Sequence, residues 1–131
     1  MPVPTQATYS LEAKIAAHTA IRDLIDSEGS PGYISFSDEN DEGMFYAFFT
    51  NPCGTIDSVT GSLTLTLSTE QRTIYQGGTV AYVVIFTHSG SVECLRLPAE
   101  QGNSPVNGKA VLGNLTFVGG ETVEVASIVI G

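Results

Sequence analysis

The side chains able to do chemistry are few in this chain, and the densest group is acidic. Asp38-Glu39-Asn40-Asp41-Glu42-Gly43 places four carboxylates and an amide before a glycine at the sixth position, as a calcium loop begins. The continuation does not suit that ion. Its fifth position is Glu42, and its twelfth, where a bidentate Glu is required, is Phe49. The segment lies between strand-like runs, so it reads as a solvated hairpin tip, with a weak cation site as the alternative because its carboxylates repel one another.

The two histidines are His18 and His88. His18 falls on an apolar helical stripe and His88 in a turn beside Ser89 and Gly90. Acyl transfer needs a nucleophile, a base and an orienting group together, and no GxSxG elbow or marked acid supplies one. Cys53 and Cys94 have no CxxC or Cys/His metal spacing. A bridge between them is geometrically open, but two cysteines in a chain with its own core are more often free thiols. Gly77-Gly78 and Gly119-Gly120 read as turns, because no helix follows to make a phosphate cradle. Asn114-Leu115-Thr116 is a glycosylation sequon, which matters only in a secretory pathway. Arg22 and Asp26 are spaced for an i,i+4 helix pair. The reading is therefore non-enzymatic, with no catalytic or metal residue assigned and no cofactor expected.

The elements that carry these residues change period near residue 30. Ser10 is an N-cap for a helix over 10–28, with Leu11, Ile15, His18, Ile21, Leu24 and Ile25 on one stripe. Gly29 and Pro31 end it. Before it, residues 1–9 with Pro2 and Pro4 form an extended arm. From Gly32 onward the apolar runs alternate or are β-branched, separated by turn residues.

Strands are expected at Tyr33–Ser37, Met44–Thr50, Ser62–Ser68, Thr79–Thr87, Val92–Leu97, Ala110–Leu112, Leu115–Val118 and Glu121–Ile130. Turns are expected at 51–54 and 88–91, a polar loop over 99–108, and Pro98 ends its strand or marks an edge. Seven or eight strands spaced this way predict a mainly β fold, an antiparallel β-sandwich with one N-terminal helix. The arm 1–9 and a single domain 10–131 are the organisation expected at this length.

The formal charge is −9, from five basic and fourteen acidic residues. Nucleic acid and anionic membrane are poor partners for such a chain. The start lacks a basic and an apolar signal region, so synthesis in a cytoplasm and a soluble product are expected. The aromatic run 45–49, with Tyr33, Tyr75 and Tyr82, offers either core packing or a surface for protein or carbohydrate. The absence of tryptophan lowers the odds of a sugar platform. Candidate contact residues are Val3 on the arm, Leu11, Ile15 and His18 on the helix, and Phe45 and Tyr46 on the aromatic strand.

The order of segments is similar to that of small tailed-bacteriophage virion structural proteins. The likeness lies in the helix over 14–25, Gly32-Tyr33-Ile34-Ser35-Phe36-Ser37-Asp38 and Phe48-Phe49-Thr50-Asn51-Pro52-Cys53-Gly54. It continues through Thr60-Gly61-Ser62-Leu63-Thr64-Leu65, residues 79–90 and residues 114–130. These are strand-and-turn patterns spread over most of 13–131. The longer acidic tip at 38–42 departs from the short turn expected there, which puts that turn's contacts in doubt.

The resemblance implies a capsid decoration, or cement, protein on the outer shell. It would bind the major capsid protein and copies of itself, with a homotrimer typical of the type, and carry no catalytic residues. The competing expectations are a tail, baseplate or fibre-attachment component, and a module that binds a host surface.

Overall fold

The computed structural model describes residues 9–68, 72–123, 125 and 127–131. The helix α1 spans Leu11–Ile25, capped by the Ser10 side chain, which accepts a hydrogen bond from the Ala13 N–H at 3.1 Å. It stops three residues short of the expected end. Asp26 leaves the helix because its carboxylate accepts the Cys53 N–H at 3.1 Å, while Ser27 closes a tighter turn on Leu24. Gly29 follows in the left-handed region at φ +72°.

Two of the six residues of the predicted stripe are buried. His18 and Ile25 are inside and Ile21 packs on the core, whereas Leu11 and Leu24 are exposed. Gly32 allows this docking: a Cβ there would stand 2.8 Å from Ile25 Cγ2 and 2.6 Å from the Phe86 carbonyl oxygen.

Among the described residues eleven strands follow: β1 Tyr33–Ser37, β2 Gly43–Ile56, β3 Leu63–Leu67, β4 Arg72–Thr73, β5 Gly78–Thr79 and β6 Tyr82–Phe86. The rest are β7 Glu93–Gln101, β8 Ala110–Leu112, β9 Thr116–Phe117, β10 Thr122–Val123 and β11 Ser127–Ile130. The expected mainly β body with one helix is present. Its seven principal strands join edge to edge in the order β1-β2-β3-β11-β8-β7-β6, with β6 returning to β1. Two ribbons, β4 with β10 and β5 with β9, complete the fold. One pair departs from the antiparallel expectation: β7 and β8 run parallel over residues 99–101 and 110–112.

Two long strands turn the corners of the closed sheet. β2 pairs with β1 through Phe48 and with β3 from Phe49 to Ile56. The turn expected at 51–54 is instead a bulge inside β2, containing the cis Asn51–Pro52 bond. Gly54 is needed there, because a Cβ would run into the Thr64 carbonyl.

β7 pairs with β6 through Pro98 and then with β8. It passes the proline because the Ala99 N–H bonds the Ala81 carbonyl, so by alternation position 98 faces away from β6 and loses no bond there. The polar loop therefore starts after Gln101 rather than at 99. The single last strand expected over 121–130 divides into β10 and β11.

Alternation fixes the core. Ile34 and Phe36 of β1 sit opposite Ala47 and Phe45 of β2, all facing in. Phe36 and Phe45 stack at 4.4 Å, and Phe117 meets Phe45 edge-on at 5.0 Å. Leu63, Leu65 and Leu67 face in, with Thr64 and Thr66 between them.

Candidate functional site

The chemically capable residues are held in structural roles. Asp38 is buried, and its Oδ1 accepts the Asn40 and Glu42 N–H groups at 2.9 and 3.0 Å. Oδ2 accepts from Gln76 Nε2 at 3.3 Å, and the same amide donates to Glu42. The acidic segment is thus a hairpin tip closed on its first carboxylate, with Asp41 left-handed at φ 64°. Among the described residues, no group of three or more His, Cys, Asp or Glu is placed to hold a metal.

Cys53 and Cys94 are free thiols. Burial, and then the neighbouring Asp26 charge, push the Cys53 thiol up to about 12. Burial also raises Cys94. The expected Arg22–Asp26 pair does not form: Arg22 turns to Asp23 at 3.2 Å, and Asp26 is taken by Cys53. His88 leaves its turn to reach the chain before β1: Nδ1 lies 2.8 Å from the Pro31 carbonyl, which can only accept, so Nδ1–H is the donor.

The aromatic run divides between two faces. Phe45 and Phe49 go to the core, and Tyr46 and Phe48 go outside. On the outer face Tyr33 stacks on Phe86 at 5.0 Å and meets Phe48 and Tyr46 edge-on at 5.9 and 6.2 Å. Tyr75 joins through Tyr46 at 6.4 Å, and His88 lies 6.1 Å from Phe48. Tyr46 is 39% exposed and Tyr75 63%. Gly90 leaves room for the Tyr33 hydroxyl, 2.7 Å from where a Cβ would be. The result is an aromatic face on β1, β2 and β6 that is fixed by ring-to-ring contact and still reaches solvent. Tyr82, read with this group from the sequence, falls on the same side of β6 as Phe86 by alternation, but Arg96 rather than a cluster ring covers it, 5.5 Å from its centroid.

A second concave feature lies between α1 and β7, a cleft of about 450 Å³. Lys14, His18 and Ile21 line it from the helix, and Leu95, Arg96 and Leu97 from the strand. The turn before β3 sets this helix face. Asp57 Oδ1 accepts the Val59 and Thr60 N–H groups at 2.7 and 3.0 Å. The Thr60 bond first and the Val59 bond second hold that carboxyl below its ordinary range. At the end of the turn the Gly61 carbonyl accepts His18 Nδ1–H at 2.6 Å. A carbonyl can only accept, so the proton is on Nδ1 and Nε2 carries the lone pair.

The predicted contact residues are scattered by this geometry. Val3 lies outside the described residues. Leu11 is exposed, Ile15 half-buried and His18 buried beneath the helix. Phe45 belongs to the core, because the register with Phe36 turns it inward, so it is not a surface residue. Tyr46 is on the surface, in company the candidate set left out: Phe48 and Phe86. The available signal was period two in 45–49, which separates Phe45, Ala47 and Phe49 from Tyr46 and Phe48. No protein family, curated protein or solved structure matches the chain.

Proposed function

We propose that this chain is a bacteriophage virion structural protein, a decoration or cement subunit whose aromatic face joins copies of itself into a homotrimer on the capsid surface. The observation that carries the reading is the ordered cluster of Tyr33, Tyr46, Phe48 and Phe86, with Tyr75 beside it, on the outside of the sheet. Rigid aromatic side chains give large contact area at small entropic cost, and they are the residues that dominate protein interfaces. Exposed Leu11 and Leu24 supply a second apolar contact, toward the major capsid protein.

The −9 charge keeps such a subunit dispersed until it meets its lattice. The body fits this use as a two-layer sandwich. Strands β7-β6-β1-β2 make one wall and β2-β3-β11-β8-β7 the other, with bent β2 and β7 shared at the corners.

Quantitative protein stoichiometry of purified particles tests the placement. Decoration predicts hundreds of copies per particle, and a tail, baseplate or fibre position predicts about a dozen or fewer. Absence from particles overturns the virion role and leaves the aromatic face to a host-surface partner.

A further inference from the structure

We infer that the cleft between α1 and β7 is a second docking site, one that takes an extended peptide segment bearing a carboxylate by strand addition to β7. Three consecutive residues, Leu95, Arg96 and Leu97, line the cleft. Successive side chains of a strand point to opposite faces, so three in a row line one cleft only where the strand presents its edge. The hydrogen bonds agree. β7 is paired with β6 at these positions, and β8 joins only from Ala99 onward. The Ala99 N–H points to β6 and the Gly102 N–H to β8. Alternation then turns the N–H and C=O of Arg96 away from β6 and toward the cleft. Pro98 ends the open stretch. An unpaired edge of this kind is a template for one more strand.

The opposite wall supplies the chemistry. Among cations with described side chains, Arg22, Arg96 and Lys109 each meet a carboxylate, at 3.2, 2.7 and 3.3 Å. Lys14 instead holds the neutral Asn107 amide, with Nζ 2.6 Å from Oδ1, which leaves its charge for an incoming anion. His18 is 7% exposed. Its Nδ1 is taken by Gly61, and Nε2 has no protein partner among the described residues. The His18 ring itself lines the cleft. Ile21, Leu97 and Ile130 give an apolar floor for alternate side chains of the guest. This site is separate from the aromatic face and does not depend on it.

The test is an amide-resonance titration of the isotope-labelled full chain with acetyl-Val-Glu-Val-amide. The expected result is saturable shifts centred on Arg96, Leu97, Lys14 and His18. The Gln analogue of the probe, or Lys14→Gln in the protein, weakens binding about threefold through the lost ion pair. Arg96→Pro removes the edge N–H, which β6 does not use, and weakens binding about fivefold, whereas Arg96→Thr keeps it.

Three results overturn the inference: no shifts at millimolar peptide, shifts confined to other surfaces, or binding unchanged by Arg96→Pro. Equal binding of sodium octanoate that ignores Arg96→Pro also overturns it, since the cleft would then be reading apolar tails rather than backbone.

Discussion

Cys53 shows how position alone decides a residue's chemistry. Its thiol is buried beside the Asp26 carboxylate, and its ionisation moves from the ordinary 9.0 to about 12. The folded chain therefore keeps the thiol neutral over a range where the unfolded chain releases the proton. The stabilisation is complete below pH 9, and it is lost as pH rises from there through about 12. Urea denaturation of wild type and Cys53→Ala across that range should show a steeper alkaline decline for wild type. A thiol reagent at pH 8 should label Cys94 in the folded protein and Cys53 only after unfolding. Neighbours on β2 should differ as sharply. Phe45→Ala should cost about 3–5 kcal/mol in the same assay, because it empties the centre of the core. Tyr46→Ser, one residue on, should stay within about 1 kcal/mol.

At the scale of elements, the turn Asp57–Gly61 locks the helix to the sheet. Gly61 sits at φ +73°, and a Cβ there would press on the Lys14 stem at 2.9 Å. Gly61→Ala should cost about 1–3 kcal/mol in thermal or urea unfolding. It should also shift the His18 ring resonances, because the carbonyl that fixes the imidazole moves. Periodicity made most elements readable: the Ser10 cap, the helix, Tyr33–Ser37 and the Leu63–Leu67 alternation stand where local pattern puts them. The misses share a cause. β2 runs on through Pro52 and β7 through Pro98 because distant partners, Thr64 and Ala81, fix their course, and no local signal reports those partners. The helix end was lost in the same way, to the Asp26–Cys53 bond across the fold. The aromatic face was half readable. Period two separates the residues of 45–49 into two sets, but both sets are apolar, and only the pairing with Ile34 and Phe36 says which faces in.

At the scale of the whole molecule, the aromatic contact proposed between copies would have to work against charge. Every copy carries −9, so copies repel at long range, and added salt should strengthen their association by screening. An association built on ion pairs would weaken instead, and sedimentation at low and high salt separates the two. The closed sheet holds the aromatic face without a disulfide, since both cysteines are free and the core is continuous. The most direct test of the central claim is the solution mass of the chain by light scattering, wild type beside Tyr46→Ser and Tyr46→Phe. The account predicts a trimer for wild type and Tyr46→Phe, and a folded monomer for Tyr46→Ser. A wild-type monomer at every concentration, or a trimer untouched by Tyr46→Ser, would contradict it.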